Sequence, residues 1–505
     1  MSPYPLLLAL LFPACALAQQ PRAMTEKFFP DPGIEIPTPS FQKKRGFASL
    51  QETLAYIRAT IKDDPLATRT VIGKTRGGKE IPAVILRRED GKRKTRVLLL
   101  ARIHGDEPAG TEALLYFLHR VFSDSDTRAL LDHLDIALLP FINIDGGEKL
   151  RRELDGGLDM NRDMTKLLAP ETVALNRFAT AFSPDIVLDL HEYRPFRADY
   201  ARLASFGACA APDVMLLHSD NLNRAPALGL LLEQAFLPSI HRALSDAGMT
   251  SHLYFTSRRE GGEIVLNLGG ASPRSSSTSF ALRGAISILA EIRGADIGRT
   301  AFKRRVLSAY LVLETLLRDA VEQATALHDA IAANNQDSIV VTATRPVARR
   351  PFPFIDIEKN ARVDIDLPAR AAADAIPVIV RSRPLAYAIA PGNDHLVEKL
   401  DALGVITRRL DREQRVDGET FLVSACRRAD TPFEGIVEQT VTTSIVPRAL
   451  LLPPGSALVE MNQRAANLAA MLLEPEAENS FTRYGLVTAI AGQELPLYRI
   501  TGNIP

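Results

Sequence analysis

Apolar and polar positions along this chain repeat with two periods, and the switches between them mark out the elements. Phe47 to Ile61 spaces its apolar residues along one helical face, and Ala109 to Arg120 does so again. Between these helices, an apolar stretch from Thr70, the turn Arg76-Gly77-Gly78 and a second apolar stretch predict a strand hairpin. Val97-Leu98-Leu99-Leu100 is an unbroken apolar run, and Ile186 to Leu190 is nearly one. Both fit strands buried on two faces. Strand and helix patterns then alternate up to a long helix expected from Thr300 to about Ala332. The alternation predicts an α/β sandwich over residues 45–332. Ala333 to Asp337 reads as a polar linker. Beyond it, Ser338 to Thr344 and Ile376 to Ile389 are rich in β-branched residues, Arg345 to Pro353 reads as an Arg/Pro-rich connector, and helical stretches are few. Residues 338–505 are therefore expected to form a separate, smaller, strand-rich α+β domain of unassigned function.

The N-terminus carries an address. Leu6 to Phe12 form a short apolar core, followed by the small-x-small pattern Ala16-Leu17-Ala18, which predicts a signal peptide over 1–18, cleavage near Gln19, and export to the periplasm or medium. The leader lacks a basic residue after Met1, and its apolar run is too short for a stable membrane span. A lipid anchor on Cys15 is the alternative, but Phe12-Pro13-Ala14 matches a lipidation motif poorly. Residues 19–44, with Pro30 to Pro39, read as an extended lead-in. They are too few for a folded inhibitory prodomain, so no zymogen is expected. Sixty acidic and sixty basic residues with 46% hydrophobic content describe an ordinary globular protein, with no charge imbalance pointing to nucleic acid. If Cys15 leaves with the leader, Cys209 and Cys426 remain. Two separate thiols are expected in preference to a disulfide.

Candidate chemistry begins where the first buried strand ends. Arg102-Ile103-His104-Gly105-Asp106-Glu107-Pro108 places an imidazole and a carboxylate three residues apart, which can converge on one metal ion. His395 and Glu398 have the same spacing inside an amphipathic helical pattern, so spacing alone decides nothing. The second strand, however, also runs into a histidine, in Asp189-Leu190-His191-Glu192. His104, Glu107 and His191 as metal ligands, with a fourth position left to water, would form an open, catalytic type of zinc site holding one Zn2+. His119, His133, His218, His241, His252 and His328 lack such a setting and are expected to be structural or on the surface.

Further segments complete a pattern: Gly73 to Pro82, Asn143-Ile144-Asp145-Gly146, Arg151-Arg152, and Leu158-Asp159-Met160-Asn161-Arg162-Asp163. Together with the ligand motifs, over roughly residues 45–320, the sequence resembles the zinc carboxypeptidases, the relatives of carboxypeptidase A. The resemblance implies a mixed, mostly parallel sheet sandwiched by helices, and a peptide with a free C-terminus as substrate. It implies that Asn161 and Arg162 grip the terminal carboxylate, that Arg152 (with Arg151 as rival) supports the oxyanion, and that Asp159 holds a ligand imidazole. The general base implied is a late strand glutamate, Glu291, with Glu263 as competitor. A tyrosine that closes over substrate in the family is matched by Tyr254 without diagnostic surroundings, and the side-chain preference stays open. Two other readings remain: a zinc amidohydrolase acting on N-acyl amino acids or small amides, and a non-catalytic protein that captures peptide ends or cell-wall fragments.

Overall fold

A computed structural model describes residues 20–205, 207–333 and 336–504. The expected leader over 1–18, Cys15 and two residues of the expected linker lie outside this range.

An eight-stranded sheet forms the centre. Five of its strands come first in the chain: β1 (Ala67–Lys74), β2 (Glu80–Leu86), β3 (Thr95–Ala101), β4 (Leu134–Leu139) and β5 (Ile186–Tyr193). Their spatial order is β1-β2-β4-β3-β5, and Ile286–Arg293, Val214–His218 and Ser251–Leu253 extend the sheet beyond β5. β1 and β2 are the expected hairpin. The centre is parallel, with β3 between β4 and β5, and β5 paired with Ile286–Arg293. The hydrophobic pattern accounts for this. Along β3, Val97, Leu99 and Ala101 enter one core with the helices Ala109–Ser123 and Phe302–Glu322, while Leu98 and Leu100 enter another with Pro170–Phe182. Alternate residues of a strand face opposite sides, so a strand covered twice must be apolar throughout. The first expected helix is Leu50–Ile61, started by a capping box in which Ser49 and Glu52 satisfy each other's backbone N–H.

Several expectations are corrected. The lead-in over 19–44 contains a helix, Arg22–Phe28. The long helix over 300–332 is two, Phe302–Glu322 and Ala324–Ala332, broken at Gln323 (φ −96°, ψ 11°). The Arg/Pro-rich connector is a strand, Val347–Asp356, paired with Ala361–Ala371. Pro351 and Pro353 are tolerated because pairing on the strand's other side begins only at Phe354, so the missing N–H groups fall on an open edge.

That hairpin crosses the boundary expected at 338. Val347–Asp356 pairs with Ala208–Ala210, and Ala361–Ala371 pairs with Glu263–Leu268, giving one five-stranded sheet made from both halves of the chain. Farther on, a six-stranded antiparallel sheet packs with the helices Asp394–Ala402 and Ala466–Leu473 around a second core, which Leu167 and Leu282 of the first half also enter. Cys209 is buried, Cys426 is half-buried, and among the described residues both are free thiols, as expected.

Candidate metal and active site

The parallel strands β3, β5 and Ile286–Arg293 end on one side of the sheet, where an open α/β sheet forms its crevice. The loop after β3 is shaped by Arg102, a non-glycine residue at φ 59° whose buried guanidinium donates to the carbonyls of Ala48, Gly105 and Gly147 at 3.0, 3.1 and 3.0 Å. Gly105 allows the loop to touch the turn at 146–147, since a Cβ there would lie 2.3 Å from the Gly146 carbonyl carbon. The loop thereby aims His104 and Glu107 at β5, which carries His191.

The three side chains are buried and converge. His104 Nδ1 lies 2.8 Å from Glu107 Oε1, His191 Nδ1 lies 2.9 Å from Glu107 Oε2, and the two Nδ1 atoms are 3.0 Å apart. The remaining ring nitrogens face carboxylates: His104 Nε2 is 3.1 Å from Asp159, and His191 Nε2 is 2.9 Å from Asp189. An ionised carboxylate only accepts, so with a metal ion on the Nδ1 side each Nε2 would keep its proton for Asp159 or Asp189 and each Nδ1 would turn a lone pair inward. Lone pairs from two imidazoles and a carboxylate meeting at one point repel unless a cation is shared. The residues therefore fit a metal ion, and two nitrogens with one carboxylate suit zinc better than magnesium or calcium.

Charge is balanced around this point. Burial opposes ionisation of Glu107, yet His104 and His191 outweigh it and hold the carboxyl far below its usual range. Burial works against protonation of both histidines too; Glu107 and Asp159 overcome it at His104, and Asp189 and Glu107 overcome it at His191, so both pKa values rise. Metal binding would have to displace those protons. Arg152 donates to Asp159 through Nε and Nη2, at 3.1 and 2.9 Å, and its Nη1 lies 3.1 Å from His104. Its neighbour Arg151 instead turns to solvent and pairs with Asp155.

Glu291 stands directly across from His191 in strand register. Burial raises its pKa to about 7; the His191 charge opposes this and the Glu107 charge adds to it. Glu291, Arg152, Asn161, Arg162 and Tyr254 line one cavity of about 340 Å³ with His104 and Glu107. Glu263 is exposed at the start of its strand and does not join them. Asn161 is fixed by the N–H of Ser276, which donates to its Oδ1 at 2.8 Å, whereas among the described residues Arg162 forms no ion pair within 4 Å and donates to the carbonyl of Asn161.

Four supporting residues were missed in the sequence. Asp189 accepts from both His191 and the Ser276 hydroxyl. Glu192 anchors the N–H of Ala109 and is paired with Arg305 beneath the site. Only Asp189 left a signal, being two residues before His191 and so on the same strand face.

A family model for zinc carboxypeptidases matches residues 53–200. Carboxypeptidase 2 of Trichophyton rubrum is 30% identical over 416 residues, covering 81% of this chain and 77% of that protein. The chain belongs to the zinc carboxypeptidase family. Carboxypeptidase 2 of Trichophyton equinum matches at 30% identity over 419 residues, with the same coverage. Such matches are longer than residues 1–337, so these carboxypeptidases share at least part of the C-terminal segment as well. Among solved structures, a metallo-carboxypeptidase from Burkholderia cenocepacia aligns at 20% identity over 54% of this chain and 69% of that one, with a TM-score of 0.43.

Proposed function

We propose that this chain is a zinc metallocarboxypeptidase that removes the C-terminal residue of peptides, with His104, Glu107 and His191 as the ligands of one ion. The observation that carries the reading is a cluster of three convergent donors, two of them lining one cavity with a half-buried glutamate and an arginine that forms no ion pair among the described residues. Zinc at such a site supplies Lewis acidity for the attack of water on the scissile carbonyl.

The chain's own residues do the rest. Asn161 and Arg162 receive the terminal carboxylate, since a guanidinium can hold it through two parallel charge-assisted bonds. That fixes which peptide bond lies beside Glu291. Glu291 takes the proton from the attacking water and delivers it to the leaving amine, and a pKa raised by burial suits a group that must do both. Arg152 donates to the oxyanion from its Asp159-braced position; one such donor is worth about 3–4 kcal/mol of barrier. Asp159 and Asp189 hold the two imidazoles. Tyr254 lines the same cavity, which makes it the candidate for the tyrosine that closes on bound substrate.

Export rests on the leader pattern at 1–18. Among the described residues no helix is long and apolar enough to cross a membrane. The carboxypeptidase names of the relatives favour this reading over a small-amide deacylase or a non-catalytic capture protein.

The decisive experiment incubates the protein with paired peptides, one with a free C-terminus and one amidated, with and without a chelator, and follows them by mass spectrometry. The expected outcome is chelator-sensitive loss of one terminal residue from the free peptide alone. With zinc bound, no loss from either peptide would overturn the assignment.

A further inference from the structure

The segment carrying the proposed carboxylate grip lies between two cores. Met160 and Met164 belong to the core beneath the central sheet, while Leu167 belongs to the core of the C-terminal half, with Leu396, Leu400 and Leu403. Contacts from the C-terminal half hold it along its length. Lys399 Nζ donates to the carbonyls of Lys166 and Leu167 at 2.6 and 3.2 Å. The hydroxyls of Thr165 and Tyr484 meet at 3.0 Å in a buried contact. Asn479 accepts from the N–H of Arg274 and from the Ser272 hydroxyl, steadying the stretch whose Ser276 fixes Asn161.

The loop between the strands Gln414–Arg428 and Gln439–Leu452 ends in a further contact. At its tip, Phe433 and Ile436 exchange hydrogen bonds of 2.7 and 3.1 Å around Glu434 (φ 49°) and Gly435 (φ 81°). Two successive left-handed residues make a type I′ turn, in which asparagine and glycine are at ease and glutamate is not. Here the glutamate has partners. Lys166 Nζ donates to its carbonyl at 2.6 Å, and the N–H of Asp159 reaches its carboxylate at 3.4 Å. Gly435 lies so close to Leu158 that a Cβ would meet its side chain at 2.9 Å. A residue held in a sparsely populated conformation against a binding element is a place where strain persists for function.

We propose that the C-terminal half is part of the substrate-binding apparatus: Lys399, Tyr484 and the Glu434–Gly435 turn are positioning residues that set the Asn161–Arg162 pair for the terminal carboxylate. This rests on the reading that Asn161 and Arg162 hold that group. It gives the C-terminal half a role in recognition without contacting substrate, and binding of the free acid then depends on residues more than 200 positions away in sequence.

The test uses the full chain in a Glu291→Gln background, so that the acids are bound without being turned over, and a panel of N-acetyl dipeptides in free-acid and amidated form, with binding measured by calorimetry alongside zinc content. Tyr484→Phe removes only a hydroxyl, and Lys399→Ala removes only the amine and its stem. Each is expected to weaken binding of the acids about tenfold, the scale of one well-made hydrogen bond, with amide binding and zinc content unchanged, and Lys399→Arg to restore the acids. Equal loss for acids and amides, or unchanged binding with a lowered Tm, would overturn the proposal and leave these contacts as general stabilisers. A Glu291→Gln parent that does not prefer acids to amides would instead overturn the Asn161–Arg162 reading itself.

Discussion

At the residue scale, the site depends on groups that never meet the metal. Asp189 accepts from His191 Nε2 and from Ser276, holding the imidazole in the tautomer that turns Nδ1 inward. Asp189→Asn keeps the shape but loses the charge, and an amide can present its NH2 to Nε2. We expect zinc affinity to fall by about 10- to 100-fold, the usual cost of losing such a partner, with little change in fold. Competition with a chromogenic chelator reads this directly; unchanged affinity would mean that β5 alone orients the ring. The sequence disclosed His104, Glu107 and His191 because each pairs a scarce residue type with a strand end. It disclosed Asp159, Asn161, Arg152 and Glu291 only through family resemblance, since an acid, an amide and an arginine look alike at a site and on a surface. Ser276 carried no signal, because its contribution is a backbone N–H and a hydroxyl 87 residues from the aspartate it serves.

At the element scale, legibility followed burial. β3 and β5 were visible as apolar runs because both faces are covered. The strand Val347–Asp356 was hidden by its prolines, whose tolerance depends on which edge lacks a neighbour, a fact of the sheet and not of the segment. The break at Gln323 carries no proline or glycine and was equally hidden. The helix before that break contains a group with a measurable consequence. Burial raises the Asp319 pKa to about 6, with the Ser239 hydroxyl opposing and Glu322 adding to the rise. Ser239 donates to Oδ1 at 3.0 Å, while buried Oδ2 has no hydrogen-bond partner among the described residues. A raised pKa means that the folded state holds the proton more tightly than the unfolded one. The stability this gives is complete below about pH 4 and is lost as pH rises through about 6. Asp319→Asn should therefore leave stability unchanged near pH 4 and raise it near pH 7.5 by roughly 1–2 kcal/mol after allowing for solvent screening, seen as a higher Tm than wild type only at the upper pH. Equal Tm values at both pH values would refute the assignment.

At the scale of the whole molecule, the chain does not divide where its linker suggests. The hairpin 347–371 completes a sheet whose other strands, Ala208–Ala210, Phe255–Glu260 and Glu263–Leu268, belong to the first half, and Phe352 and Phe354 are buried with Phe255 and Leu266. Arg464 reaches back to the carbonyls of Pro184 and Gly284, and Leu167 enters the second core. An appended domain on a flexible tether would share neither a sheet nor a core with its neighbour, and would melt by itself. Here the two halves should unfold together. Calorimetry of the intact chain should give one cooperative transition, shifted upward by added zinc because the ion binds only the folded state. A chain ending at residue 337 would expose the edges of Ala208–Ala210 and Glu263–Leu268 together with the apolar side chains that Phe352 and Phe354 now cover, so it should aggregate or unfold without a sharp transition. Two resolved transitions in the intact protein, or a truncated chain that melts sharply and removes terminal residues at the full rate, would return the C-terminal half to the status of an accessory.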